Sequence, residues 1–496
     1  MLVLLIYPPV NSEKFIASTT PPLGLAYLAS FVRSQMPGDC KVLIWDLNLH
    51  IISKEQFKEK LLKLDEKPEV IGIGGIVTVF KSYLWISKIC KEIFPDALLI
   101  AGGSLAGTIP HLLFKHSPVD ICVRGEGEFT LLEIIKTFKD GGGKKDMQHI
   151  KGIFLWDEKK GSLLETPSRP RISNLDILGI PAYDLLDIEQ YDANATRNRR
   201  NYAKDLPPQV YSPGNLRMSL MTSRGCIGRC TFCYRHFSAI KMNSSEFVKK
   251  HIMLLHNRFG VNVFEIMDEL FNISEKRVNE LIACFQEMKQ RIPRFCFSIG
   301  GARADLINIE LLRRLKEAGC FQIIYGLESG SPKILRMIKK GVTVEQNRRA
   351  VLATRDAGLC CVPQFVVGLP GEDRDTLIET LRFAKSIDFW SYLSFHWANA
   401  YPGSEIYQYA KEKKLIKDEF SYVSSLSATC QYPLQLANIS QKEMIKILRK
   451  YFTVREIRLI FKNNNFLIAI YISTIWFTKK VLGYLFNKIK KLFVEA

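Results

Sequence analysis

The chain has no apolar run long enough to cross a bilayer unaided. A spanning helix needs about 20 such residues, and the uncharged stretch Phe466–Phe477 has twelve. The basic n-region of a secretory leader is missing as well. Met1–Pro9 is apolar but breaks at Pro8-Pro9, which reads as a first buried strand. The twelve cysteines are spaced too irregularly for a disulfide framework. These absences point to a reducing cytoplasmic setting. No internal repeat is apparent. Acid is in deficit, with Asp+Glu 50 against Lys+Arg 69 and a net charge of +19. From Ala437 onward there are twelve Lys/Arg and three Asp/Glu, a local surplus of nine. Nucleic acid, an anionic membrane surface or an acidic substrate could each be the partner of such charge.

What is present suits a multidomain globular protein. The 496 residues allow two to four domains, and 47% hydrophobic with 24% charged content is ordinary. Up to residue 145, short apolar runs alternate with helical patterns. Leu2–Tyr7, Lys41–Trp45, Val70–Gly74, Ala97–Ala101 and Asp120–Val123 read as buried strands, with helices such as Leu23–Arg33 and Ser82–Ile93 between them. That alternation predicts a parallel, doubly wound α/β sheet, whose ligands bind outside the carboxyl ends of the strands. Those ends carry Pro8, Asp46, Gly74, Gly102-Gly103 and Glu126. Gly72-x-Gly74-Gly75 alone is weak evidence for a nucleotide, since it lacks the full G-x-G-x-x-G spacing and strand-end glycines often serve only the turn. A connector over 146–215 follows. From 216 to 418 the βα pattern resumes with strands Leu216–Thr222, Val263–Met267, Phe295–Ile299, Gln322–Tyr325, Cys361–Val367 and Tyr392–Ala398. Residues 419–496 read as a basic helical region.

Cys226, Cys230 and Cys233 stand at C-x3-C-x2-C spacing just after the first strand of the second set. Three thiolates neither complete a four-cysteine zinc site nor saturate a [4Fe–4S] cube. A cube held by three of them keeps one iron open. The alternative is structural zinc with His236 as the fourth ligand. The motif resembles the cluster loop of the radical S-adenosylmethionine (SAM) superfamily, C-x3-C-x-aromatic-C, with Phe232 in the aromatic place. The resemblance implies a partial (β/α)6 TIM-type barrel and a cluster that cleaves SAM to methionine and a 5′-deoxyadenosyl radical. It also implies an external electron donor of the flavodoxin or ferredoxin type.

Further residues at the strand ends match that superfamily, and the resemblance implies their roles. Asp268-Glu269 would meet the SAM ammonium; the plainer alternative is an acid at a helix N-terminus. Ser298 and Arg303 flank Gly300-Gly301-Ala302, and Arg303 would meet the SAM carboxylate, a surface ion pair being the alternative. Glu328, in Gly326-Leu327-Glu328-Ser329-Gly330, would reach the ribose hydroxyls. Val366 and Gly368, in the run Phe365–Glu372, would lie beside the adenine. His396 and Asn399 near the last strand end are candidates to face substrate as catalytic groups; a histidine satisfied in the core is the alternative. Cys320, Cys360 and Cys361 read as packing residues.

Pro21–Ala29, Ala101-Gly102-Gly103 and Val119–Glu128 together resemble the cobalamin-binding domain upstream of many radical SAM cores. The resemblance covers roughly the first 140 residues and implies a corrinoid whose nucleotide tail enters the sheet. The D-x-H-x-x-G motif of histidine-ligated cobalamin is missing, because Asp46–His50 has its histidine at the wrong offset. No histidine ligand to cobalt is therefore expected there. The joint resemblance implies a cobalamin-dependent radical SAM enzyme, with methyl transfer to an unactivated carbon as the leading outcome and ring-forming oxidation as another. A tRNA methylthiotransferase is the runner-up. It would need a second cysteine triad, and Cys40, Cys90 and Cys122 do not lie in matching loops; a C-terminal RNA-binding β-barrel is also missing, so nucleic acid is not expected. From Lys479, helical spacing puts most lysines on one side and Leu482, Leu485, Phe486, Ile489, Leu492 and Phe493 on the other. Such a basic amphipathic helix would attach a cytoplasmic enzyme to the inner face of the membrane, near a small-molecule or lipid-like substrate. A helix packed on the barrel is the alternative.

Overall fold

The computed structural model describes residues 1–10, 19–50, 52–199, 210, 215–235, 237–389, 392–427 and 434–463. His236, Pro207-Pro208, Phe466–Phe477 and the tail from Lys479 lie outside them.

Most of the apolar runs near the N-terminus become strands because both of their faces can be covered. They are β1 (Leu2–Tyr7), β2 (Lys41–Asp46), β3 (Val70–Gly74), β4 (Leu98–Gly102) and β5 (Ile121–Val123). Val3, Leu4 and Ile6 are fully buried. These five pair in parallel in the order β2-β1-β3-β4-β5. The strand order reverses between β1 and β3, so their carboxyl ends open a crevice. Two further strands, β6 (Ile153–Asp157) and β7 (Ser162–Glu165), extend the sheet as an antiparallel hairpin. The sheet is thus mixed, and it runs into the segment expected from sequence to be connector. The hairpin's outer strand is only four residues long, with exposed Ser162 and Glu165 at its ends, and so lacks the long apolar run that marks the inner strands.

A second sheet follows. Its strands are β8 (Leu216–Leu220), β11 (Val261–Ile266), β12 (Cys296–Ala302), β13 (Cys320–Glu328), β14 (Cys360–Val367) and β15 (Ser394–Trp397). Between the first two, β9 (Ser223–Arg224) and β10 (Lys241–Met242) form a small antiparallel ladder. The six long strands are parallel and stand side by side in chain order, which makes an open half-barrel. Most of the intervening helices start at a side-chain cap. Ser244 accepts from the Phe247 N–H, Ser274 from Arg277 and Asn308 from Leu311, while Thr343 with Gln346 closes a capping box. The helix Glu275–Arg291 shows why they pack: Val278, Leu281, Ile282, Phe285 and Met288 recur at helical spacing and are buried. Emptying the site of Phe285, fully buried between Phe295 and Phe297, would cost about 3–5 kcal/mol. β12 and β13 run longer than sequence suggests, to Ala302 and Glu328. Register shifts at Ile299/Ala302 and Gly326/Glu328 let pairing continue through the glycine motifs.

One apolar cluster joins the two sheets, containing Ile73, Phe80 and Leu105 together with Leu369, Ala400 and Tyr422. The helix Glu419–Ser425 turns back onto the N-terminal domain, where Phe420 meets Phe80 edge to face. The helix Gln441–Asn463 lies on the barrel through Met444 and Leu448, and Arg455 forks onto Asp388 at 2.8 Å. Among the described residues no helix is long and apolar enough to cross a membrane.

Candidate active site at the barrel mouth

The thiol loop lies between β9 and β10. Gly225 opens it at φ +101°, a conformation side chains rarely adopt; a Cβ there would sit 2.3 Å from the Ala239 carbonyl. The Cys226 N–H donates to the Phe237 carbonyl at 3.3 Å, the Cys233 N–H to Cys230, and the Thr231 N–H to Ile338 at 3.0 Å. Arg235 clamps the Gly228 carbonyl at 2.6 Å. Of the described cysteines, only Cys226, Cys230 and Cys233 reach solvent; the others are buried thiols. Those include Cys40, in one apolar core, and Cys90 and Cys122, in another. Desolvation pushes the Cys233 thiol up to about 11 and raises Cys230 too. A bound metal would reverse this, since a coordinating thiol is deprotonated. Among the described residues no three His, Cys, Asp or Glu side chains converge on a single point. Three thiols that each face a different iron need no such point, so the loop fits a polynuclear cluster.

Glu328, at the end of β13, is nearly buried and holds φ +61°, a strained position for a non-glycine residue. Its Oε1 lies 2.8 Å from the ammonium of Lys340. Burial alone would pull Lys340 down, but Glu328 and Cys230 outweigh it, so the ammonium stays charged. Lys340 was not foreseen from sequence. It follows Lys339 in a pair that reads as solvated surface, and only the exit of the helix Pro332–Met337 turns it inward.

The other carboxylates and cations at the strand ends are largely engaged with the protein. Asp268 is buried, with Oδ1 accepting from the Thr222 N–H (2.6 Å) and Oδ2 from the Thr222 hydroxyl (2.5 Å). It thereby ties the end of β11 to that of β8. Glu269 accepts from the Gly225 N–H at 3.2 Å; burial raises it, against that bond and Arg171. Arg303 forks onto both oxygens of Asp305 at 3.0 and 2.9 Å. Ser298 is buried in β12, in register with Glu265 and Gln322. Gly368 donates its N–H to the buried carboxylate of Glu372 at 2.5 Å. Desolvation pushes Glu372 up to about 7 although the Gly368 and Leu369 N–H groups oppose it.

Phe232, Val366, His396 and Asn399 are brought together. With Trp397, Tyr401 and Ser427 they line a cavity of about 250 Å³ at the ends of β14 and β15. His396 Nε2 lies 2.7 Å from the Ser394 hydroxyl, and the Asn399 side chain donates to the Trp397 carbonyl at 3.4 Å. Trp397, Tyr401 and Ser427 carried no motif and could not be picked out from sequence.

In the N-terminal domain, Asp46 Oδ2 accepts the Tyr191 hydroxyl at 2.7 Å and Oδ1 the Asn48 N–H at 2.8 Å; Asn48 also donates to the Pro8 carbonyl. Glu126 accepts from the Ile172 N–H at 2.8 Å. These bonds brace the strand ends. The glycines behave differently. Gly74 leaves 3.0 Å between a would-be Cβ and Leu25, Gly103 at φ +78° presses on the Gly75 carbonyl, and Gly102 has nothing within 4 Å of a Cβ. The backbone is thus tightly packed at Gly74 and Gly103 and borders open space at Gly102. Bare backbone at Gly102 suits the close approach of a broad ligand, and His50 is exposed.

An open half-barrel of six parallel strands, with a loop of three accessible thiols after the first, defines a barrel enzyme of the radical SAM type. Residues 220–384 match the Radical SAM superfamily. An uncharacterized methyltransferase of Pyrococcus horikoshii is 31% identical over 462 residues, covering 91% of this chain and 92% of the relative. An anaerobic magnesium-protoporphyrin IX monomethyl ester cyclase of Rubrivivax gelatinosus is 28% identical over 431 residues, covering 85% and 72%. Among solved structures, the radical S-adenosylmethionine methyltransferase TsrM from Kitasatospora setae, with cobalamin and a [4Fe-4S] cluster bound, superposes with a TM-score of 0.66. Its identity is 17%, over 84% of this chain and 75% of that one, a likeness of fold. The chain belongs to the radical SAM superfamily.

Proposed function

We propose that this radical SAM enzyme is cobalamin-dependent and methylates an unactivated carbon of a small or lipid-like substrate. Its cofactors are then a [4Fe–4S] cluster, SAM and cobalamin, with an external flavodoxin- or ferredoxin-type protein as electron donor. The observation that carries the reading is the shared cavity: Phe232 of the thiol loop and His396 and Asn399 of the last strand end line one space. A group held on the loop and a substrate held by β15 would thus be neighbours. When bound, these cofactors supply one-electron cleavage of SAM and delivery of a methyl group.

The chain's own residues would do the rest. Cys226, Cys230 and Cys233 would hold three irons. Lys340 offers a buried cation to a carboxylate, and Glu328 a buried acceptor to hydroxyls, both within reach of the thiol loop. The backbone at Val366 and Gly368 would receive a flat base, its shape held by Glu372. His396 and Asn399 would orient the substrate, and the apolar walls of Phe232, Val366 and Trp397 would keep water from a radical. The bare glycine crevice between β1, β3 and β4 would take the corrinoid without a histidine ligand. The cyclase relative supports ring-forming oxidation as a second reading of the same site.

Anaerobic reconstitution tests this. The expected result is about four iron and four sulfide per chain, retained corrinoid, and 5′-deoxyadenosine formed from SAM under reduction. Replacing any one of Cys226, Cys230 or Cys233 with Ala should abolish that cleavage. Full activity of a zinc-only preparation would overturn the proposal.

A further inference from the structure

The Arg124–Glu128 turn follows β5, where the resemblance to corrinoid domains implied ligand contact. The structure turns both of its carboxylates toward the barrel instead. Gly125 reverses the chain at φ +83°, and Glu128 opens the helix Glu128–Lys139. The side chains of Glu126 and Glu128 are each only 5% exposed. Facing them is Arg224, on β9 and two residues before the first thiol of the loop. Its Nη1 is 2.8 Å from Glu128 Oε1 and 3.6 Å from Glu126 Oε1. The guanidinium also covers the ring of Tyr27, 4.9 Å from its centroid. Arg171, beyond the β6–β7 hairpin, completes the group, with Nε 3.8 Å from Glu126 Oε2 and Nη2 bonded to the Arg224 carbonyl at 3.4 Å.

Little slack separates this group from the thiol loop. Gly225 sits so close to Ala239 that not even a methyl group fits, and its N–H is fixed by Glu269 at 3.2 Å. A shift of Arg224 is therefore passed on to Cys226. Glu126 Oε1 makes no hydrogen bond, so its hold on Arg224 at 3.6 Å is one of charge rather than of directed bonding. Inside a protein such charge contacts are strong, and an unpaired member is costly.

We infer that Glu126, Glu128 and Arg224 form an electrostatic latch through which the N-terminal sheet sets the position of the cluster loop. Arg224 and Glu128 are then positioning residues, acting through Cys226. The latch couples the crevice domain to SAM cleavage in the barrel, and it rests on the reading that Cys226 ligates a cluster.

The test uses full-length enzyme, anaerobically reconstituted with iron and sulfide. Glu128→Gln removes one charge and keeps the shape. It should retain wild-type iron content but slow reductive SAM cleavage about tenfold, the scale of coupling changes through packed networks. The electron paramagnetic resonance spectrum of its reduced, SAM-bound cluster should also shift, which mere loss of stability would not cause. Arg224→Lys keeps the charge and should retain most of the rate. The charge-swapped pair Glu128→Arg with Arg224→Glu should recover at least part of the loss seen in Arg224→Glu alone. Wild-type rate and spectrum in Glu128→Gln would overturn the latch while leaving the cluster reading intact. Wild-type enzyme that takes up no iron would overturn both. Should Glu128→Gln fail to fold, the swap pair decides: no recovery in it overturns the latch.

Discussion

Lys340 and Glu328 form an ion pair at 2.8 Å with their side chains 15% and 9% exposed, beside the Cys230 thiol. Removing one partner of a buried pair strands the other, at a cost of about 3–5 kcal/mol. Lys340→Met should therefore lower the melting temperature by several degrees and weaken SAM binding at least tenfold, while the iron content stays near wild type. Adding Glu328→Gln should restore part of the stability, because no charge is left stranded, and none of the SAM affinity. Anaerobic calorimetry reads both quantities. Unchanged SAM affinity in Lys340→Met would remove this pair from the binding site.

The crevice glycines make separable predictions. Gly103 holds φ +78°, with a would-be Cβ 2.4 Å from the Gly75 carbonyl, so Gly103→Ala should both destabilise the domain and lose corrinoid. Gly102 is extended and its would-be Cβ meets open space, so Gly102→Ala should keep the melting temperature and weaken only corrinoid retention. His50→Ala should retain corrinoid like the wild type. Corrinoid content after desalting checks all three, and full retention in both glycine variants would place the corrinoid elsewhere.

His251 is fully buried against Tyr183, whose hydroxyl lies 3.0 Å from Nε2, and desolvation pushes it down to about 3. In the unfolded chain it titrates near 6.5. The unfolded state therefore binds more protons between those values, and the stability due to a neutral His251 is lost as pH falls from about 6.5 toward 3. His251→Gln cannot titrate. Relative to this variant, the wild type should lose about 1 kcal/mol between pH 7 and pH 5.5. Denaturation curves at the two pH values measure it, and parallel behaviour of the two proteins would show that His251 charges without unfolding.

The basic, amphipathic pattern after Lys479 predicts attachment to anionic vesicles. Each lysine near such a surface adds about 1 kcal/mol, and the apolar side adds a share that salt does not screen. Deleting Lys479–Ala496 should weaken vesicle flotation and leave SAM cleavage in buffer unchanged. Full-length protein that ignores anionic vesicles at low salt would end the case for a membrane-delivered substrate.

Much of this protein is written locally. Buried runs such as Leu2–Tyr7 and Val70–Gly74 declare strands to within a residue or two, because burial on both faces demands continuous apolar side chains. The spacing of Cys226, Cys230 and Cys233 places three thiols on one loop, because chain geometry alone keeps them together. What a strand-end side chain meets is not local. Asp46 and Asp268 looked like groups open to a ligand, yet they accept from Tyr191 and Thr222, residues brought near only when distant segments dock. The same docking turns Lys340 onto Glu328, joins Arg224 to Glu128 across two domains, and gathers Phe232 with His396 and Asn399 around one cavity. Sequence determined which groups are available and which segments carry them. Their direction and partners were decided by the tertiary structure, because burying a charge is tolerable only where packing supplies its partner.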